Sequence, residues 1–123
     1  MNKQSKHNNM ETKNAENWTK EGNDWFGQED YTKAIECYEK AIALAPEYKQ
    51  AYCNMAVVYD YLQDYNKAIA YFQKAIRLKP NDTDARIYHD MGITHGNISD
   101  YDKAIECYQK AIEIGRASCR ERV

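Results

Sequence analysis

The sequence predicts an all-α protein, an α-solenoid of three helix-turn-helix repeats, and three observations predict it. The phrase AIECYEKAI at 34–42 returns as AIAYFQKAI at 68–76 and as AIECYQKAI at 104–112. The copies start 34 and then 36 residues apart, room for a helix, a turn and a second helix. The 123 residues hold only two prolines and five glycines, and with 43% hydrophobic and 29% charged residues they can build one modest domain but not two independent cores.

The elements follow in chain order. Residues 1–14 are polar and lack the apolar segment of a signal peptide, so they are expected to be disordered. The first helix of each unit reads AENWTKEGNDWFG, then KQAYCNMAVVYDYL, then ARIYHDMGITHGN. Each carries an aromatic residue followed four positions later by a small one: Trp18 and Gly22, Tyr52 and Ala56, Tyr88 and Gly92. A small residue on a helix face lets a neighbouring helix come close. Between the helices, QEDY, QDYN and SDYD pair an acidic residue with Tyr31, Tyr65 or Tyr101, which marks a turn and the next helix start. The repeated phrase is the second helix. Ala34, Ile35, Tyr38, Ala41 and Ile42 form one apolar stripe, and Glu36, Glu39 and Lys40 face water. Pro46 and Pro80 are expected to end second helices, because proline cannot continue the hydrogen-bond ladder.

This pattern resembles the tetratricopeptide repeat family, met three times over about 15–114, with repeats at about 15–48, 49–84 and 85–114. Glu21 departs from it where an apolar residue is usual, His95 where an aromatic is usual, and NDTD lengthens the last loop between repeats by two residues. The resemblance implies a superhelix whose first helices line a concave groove that holds a peptide or partner helix.

The pattern breaks at the end. IGRASCRERV matches nothing earlier and can be encoded by a string that looks like a sequencing-library adapter read in frame. Residues 115–123 are therefore expected to be an unstructured, artefactual tail, and the chain a truncated one. The tail carries three arginines against one glutamate, a contribution of +2, which leaves −4 of the net −2 on the preceding residues. With no capping helix after it, the stripe of Ala104, Ile105, Tyr108, Ala111 and Ile112 is expected to be partly exposed.

The net charge argues against nucleic acid as a partner, and no apolar run approaches the roughly 20 residues of a membrane span. A cytoplasmic location follows as the default expectation. Cys37, Cys53, Cys107 and Cys119 form no metal spacing, and Cys37 and Cys107 fill one core slot in two copies of the phrase. His89 and His95 are six apart, without further ligands, and read as surface or packing residues. No phosphate loop, nucleophile elbow or acid–base constellation stands out, so neither an enzyme, a cofactor, a metal nor a small-molecule substrate is expected.

What remains is a non-catalytic protein–protein interaction module. By resemblance its groove is lined by Glu16, Thr19, Asn23, Phe26 and Gly27, then Gln50, Cys53, Asn54, Val57 and Tyr61, then Arg86, His89, Asp90, Ile93 and Asn97. Two alternatives stand beside it. One is the N-terminal docking or regulatory region of a longer enzyme. The other is a co-chaperone that clamps the C-terminal carboxylate of a chaperone tail, for which Asn23 and Asn54 fit, whereas Thr19 and Asp90 stand where the family uses cations.

Overall fold

The computed structural model describes residues 13–78 and 84–122, with side chains through 117. Among them are six helices and no strand: α1 (Ala15–Gly27), α2 (Tyr31–Leu44), α3 (Lys49–Tyr61), α4 (Tyr65–Arg77), α5 (Asp84–Asn97) and α6 (Tyr101–Arg122).

Each second helix starts on the same device. The carboxylates of Asp30, Asp64 and Asp100 accept the backbone N–H of Lys33, Lys67 and Lys103 at 3.2, 3.4 and 3.4 Å. Each satisfies one of the donors that a helix leaves unpaired at its start. The residue before each aspartate, Glu29, Gln63 or Ser99, takes a left-handed backbone with φ of 62°, 65° or 64°. That reversal lets the aspartate N–H donate back to Trp25, Tyr59 or His95 at 2.9 Å, so one turn geometry recurs three times. Helix α2 ends at Leu44, just ahead of Pro46; Pro80 and most of the NDTD loop lie outside the described residues.

Partners within the first and third repeats lie close because glycine replaces a side chain. A Cβ on Gly22 would stand 2.5 Å from Cε1 of Tyr38, and one on Gly92 would stand 2.6 Å from Cε1 of Tyr108. Between repeats α2 packs on α3 and α4 on α5, and the first helices touch in series, α1 on α3 and α3 on α5. No such contact joins the second helices among the described residues. The first helices therefore form the inner face of the stack.

The core runs through the middle of this array. Tyr38, Met55, Val58 and Phe72 are fully buried, with Ala34, Ala41, Ala68 and Ala75 at the close approaches. Cys37 and Cys107 are buried as small apolar residues. Glu21 is held by Lys13 and by the Cys37 thiol, which donates to its carboxylate at 3.7 Å. Both indoles lie on α1. Trp18 has the ammonium groups of Lys13 and Lys40 at 4.0 and 4.5 Å from its ring, and Trp25 has that of Lys33 at 4.3 Å.

The second and third repeats are joined by an ion pair between Lys49 and Asp84 at 2.5 Å, the two side chains only 11% and 8% exposed. Helix α6 corrects the expectation of an unstructured tail, since it continues without a break from the third phrase to Arg122. No proline stops it, and alanine, glutamate and arginine favour helix by more than Gly115 opposes it. Ile105 and Ile112 are 53% and 54% exposed on this helix, as expected of the uncovered stripe. No helix among the described residues is long and apolar enough to cross a membrane.

Candidate functional site

The inner face carries two adjoining depressions that share Gln50, Asn54, Val57 and Arg86. One, of about 300 Å³, reaches back over α1 to Asn23 and Phe26. The other, of about 70 Å³, reaches forward to Cys53, Ile87 and Asp90. The spacing of three and four residues along each first helix puts these side chains on one face, and the stacking of repeats lines the faces up.

Amides organise the floor. Asn23 Oδ1 accepts two bonds, from the Tyr38 hydroxyl at 2.6 Å and from Asn54 Nδ2 at 2.9 Å, while Gln50 Nε2 donates to Asn54 Oδ1 at 3.2 Å. The two asparagines, 31 positions apart, thus tie the first repeat to the second and hold each other's orientation. Burial pushes the Tyr38 phenol well above its ordinary range, in keeping with a neutral hydroxyl donor.

An aromatic group closes one end. Phe26 and Tyr61 meet edge to face, with centroids 5.0 Å apart and planes at 88°, and Tyr31 leans on both at 5.6 and 6.1 Å. Tyr61 is nevertheless 62% exposed, so a large ring surface remains open to a ligand. At the other end Arg86 Nε stands 3.9 Å from Asp90 Oδ2, and His89 Nδ1 stands 3.6 Å from Oδ1. Asn97 Nδ2 donates to Asp60 Oδ1 at 3.4 Å; burial raises the Asp60 carboxyl, with the Asn97 bond opposing. Cys53 offers no thiolate, because burial pushes its thiol up to about 12.

The structure therefore brings Asn23, Phe26, Gln50, Cys53, Asn54, Val57, Arg86 and Asp90 to the two depressions, with Tyr61 against Phe26. Glu16, Gly27, Ile93 and Asn97 are exposed but line neither. His89 lines neither depression and reaches the site only through Asp90, its ring 5.7 Å from that of Tyr108 on α6. Thr19 is a correction. It is 3% exposed, and its hydroxyl donates to the Ala15 carbonyl at 2.8 Å, because a short hydroxyl side chain in a helix reaches its own preceding turn. Sequence reasoning missed Tyr38 and Ile87. Tyr38 belongs to the buried stripe of a second helix, and only its hydroxyl reaches the groove between helices. Ile87 follows Arg86, and no periodicity singles it out.

The family model described as tetratricopeptide repeat matches residues 22–81 and 50–117. None of the curated proteins matches the chain. Among solved structures, a crystal structure of MamA is similar with a TM-score of 0.81 and 29% identity, over 87% of this chain and 61% of that one. The chain thus spans about three fifths of the MamA chain. The Sgt2 domain from Aspergillus fumigatus gives 0.76 and 27%, over 82% and 66%. The second repeat domain of Spaghetti (RPAP3), solved with the HSP90 peptide SRMEEVD, gives 0.76 and 21%, over 88% and 98%, a likeness of fold.

Proposed function

Since the chain belongs to the tetratricopeptide repeat family, we propose that it is a cytoplasmic, non-catalytic module that holds an extended or helical segment of a partner protein along its first helices. The family is generally an interaction fold without catalysis, and a relative in fold was solved bound to an HSP90 peptide. The observation that carries the reading is the continuous run from the half-open Phe26–Tyr61 pair, over the amides of Asn23, Gln50 and Asn54, to Val57 and Arg86. Rings supply anchoring area and amides match a peptide backbone, the composition that interfaces favour.

Capture of a carboxylate tail, as in the HSP90 peptide, fits less well. Asn23 Oδ1 already accepts from Tyr38 and Asn54, and Asn54 Oδ1 from Gln50, which leaves the remaining N–H groups of the two asparagines as donors. Yet Thr19 is buried, and the Asp90 carboxylate beside Arg86 opposes an incoming anion.

The test uses peptides selected from a displayed random library on the full chain. Tyr61→Ala and Phe26→Ala are expected to weaken the selected peptides about tenfold, corresponding to about 1.4 kcal/mol, with affinities in the micromolar range for three repeats. Glu36→Ala on the exposed side of α2 is expected to leave affinity unchanged, with folding checked by circular dichroism. Loss of binding in Glu36→Ala alone would move the site to the opposite face.

A further inference from the structure

The outer side of the molecule differs between its two junctions. Between α2 and α4, Tyr59 and Tyr71 stack nearly parallel, with centroids 5.5 Å apart and planes at 5°, and they pack with Ile35 on the buried Tyr38–Met55 cluster. Glu39 on α2 is close enough to act on both phenols. The molecule thus fills its own gap between these second helices.

The positions 36 residues later hold His95 and Cys107. The smaller pair leaves a cavity of about 430 Å³ between α4 and α6, with His95, Ile69 and Cys107 in its wall and Asn66, Gln73 and Lys103 among its polar lining. Burial lowers His95, with Asp100 and Glu106 opposing and Lys103 assisting, which favours a neutral ring. A metal does not account for the slot, because no group of three or more His, Cys, Asp or Glu among the described residues could hold one. Nor does thiol chemistry, because burial raises Cys107 and favours the thiol.

We propose that this slot takes a tyrosine side chain from a partner protein, its ring laid against His95 in the place that Tyr71 fills one repeat earlier. The molecule itself supplies the template, since Tyr71 fills the equivalent gap one repeat earlier. Asn66, Gln73 and Lys103 offer the polar surroundings that a phenolic hydroxyl needs and a phenylalanine does not. The slot lies on the side opposite the groove and shares no lining residue with either of its depressions.

The probe is N-acetyl-tyrosinamide, titrated into the full chain at pH 7.5 while the His95 imidazole resonances are followed by NMR. A saturable shift in the millimolar range is expected, with the phenylalanine counterpart at least threefold weaker. Cys107→Tyr supplies the missing ring internally and is expected to weaken the probe at least tenfold and to raise the thermal midpoint. Gln73→Trp, at an exposed position on the α4 wall, is expected to block the probe likewise and decides the matter should Cys107→Tyr not fold. Absence of a saturable shift, or an unchanged affinity in Gln73→Trp, overturns the slot. Equal affinity for the phenylalanine counterpart overturns its assignment to tyrosine.

Discussion

Gly92 shows how much one hydrogen atom can decide. A methyl group there would sit 2.6 Å from Cε1 and 2.9 Å from Cδ1 of the Tyr108 ring, so the ring must shift to admit it. Gly92→Ala gains helix propensity of about 1 kcal/mol but overpacks the pair at a cost of typically 1–3 kcal/mol. A net loss of stability is expected, measured by urea unfolding. Gly115, with nothing within 4 Å of its Cβ position, is expected to gain from the same change. His95 sets a pH response. Because burial lowers it from its ordinary 6.5, the unfolded chain takes up this proton more readily than the folded one. Its contribution is full above about pH 6.5 and is lost as pH falls through the lowered folded value. His95→Gln is therefore expected to flatten the fall in thermal midpoint between pH 7 and 5, and an unchanged slope would contradict it. Asp60 works in the opposite sense at lower pH, since burial raises its carboxyl and the folded chain then holds the proton.

At the scale of helices, the junctions between repeats carry the specificity of the stack. Lys49 at the start of α3 and Asp84 at the start of α5 meet while almost wholly buried. Breaking such a pair from one side leaves a buried charge and costs about 3–5 kcal/mol, whereas replacing both partners with apolar residues is often neutral. Lys49→Met is expected to destabilise by about 3 kcal/mol or more, and adding Asp84→Leu to recover most of it, as read from denaturant midpoints. This pair was not legible in the sequence. Both residues sit in the polar stretches that begin first helices, and nothing in a helical period says that they face each other across a junction. The Asp30, Asp64 and Asp100 caps were legible, because a cap acts within four residues of itself. The alanines were legible too, since the phrase repeats them in register, and so was Gly22, since each first helix carries a small residue four positions after an aromatic.

Over the whole molecule the same division holds. Local sequence carried the six helices and the stacking order, while lateral geometry decided what the lining does. Thr19 shares the face of Asn23 by period but is buried against its own turn. Tyr38 belongs to the core by period, yet its hydroxyl reaches Asn23 in the groove. The continuation of α6 to Arg122 is not legible from the repeat, which ends before it, although composition alone favours helix there. Packing is also uneven along the stack. The fully buried Met55, Val58 and Phe72 belong to the middle repeat, whereas the third repeat leaves Ile105 and Ile112 open and a cavity on its outer side. In a stacked array each repeat leans only on its neighbours, so the third is expected to open first.

The two tryptophans make that order visible. Trp18 and Trp25 both lie on α1, each under a lysine ammonium and each packed in a cluster shared with the second repeat, so indole fluorescence responds to the first repeat and its junction with the second, and not to α5 and α6. Far-ultraviolet ellipticity counts every helix. On heating, ellipticity is expected to begin falling several degrees before the emission changes, the separation that a two-state domain does not show. Coincident curves would mean that the three repeats open as one unit, with the Lys49–Asp84 pair and the Asn23–Asn54 bond strong enough to bind the array into a single cooperative body.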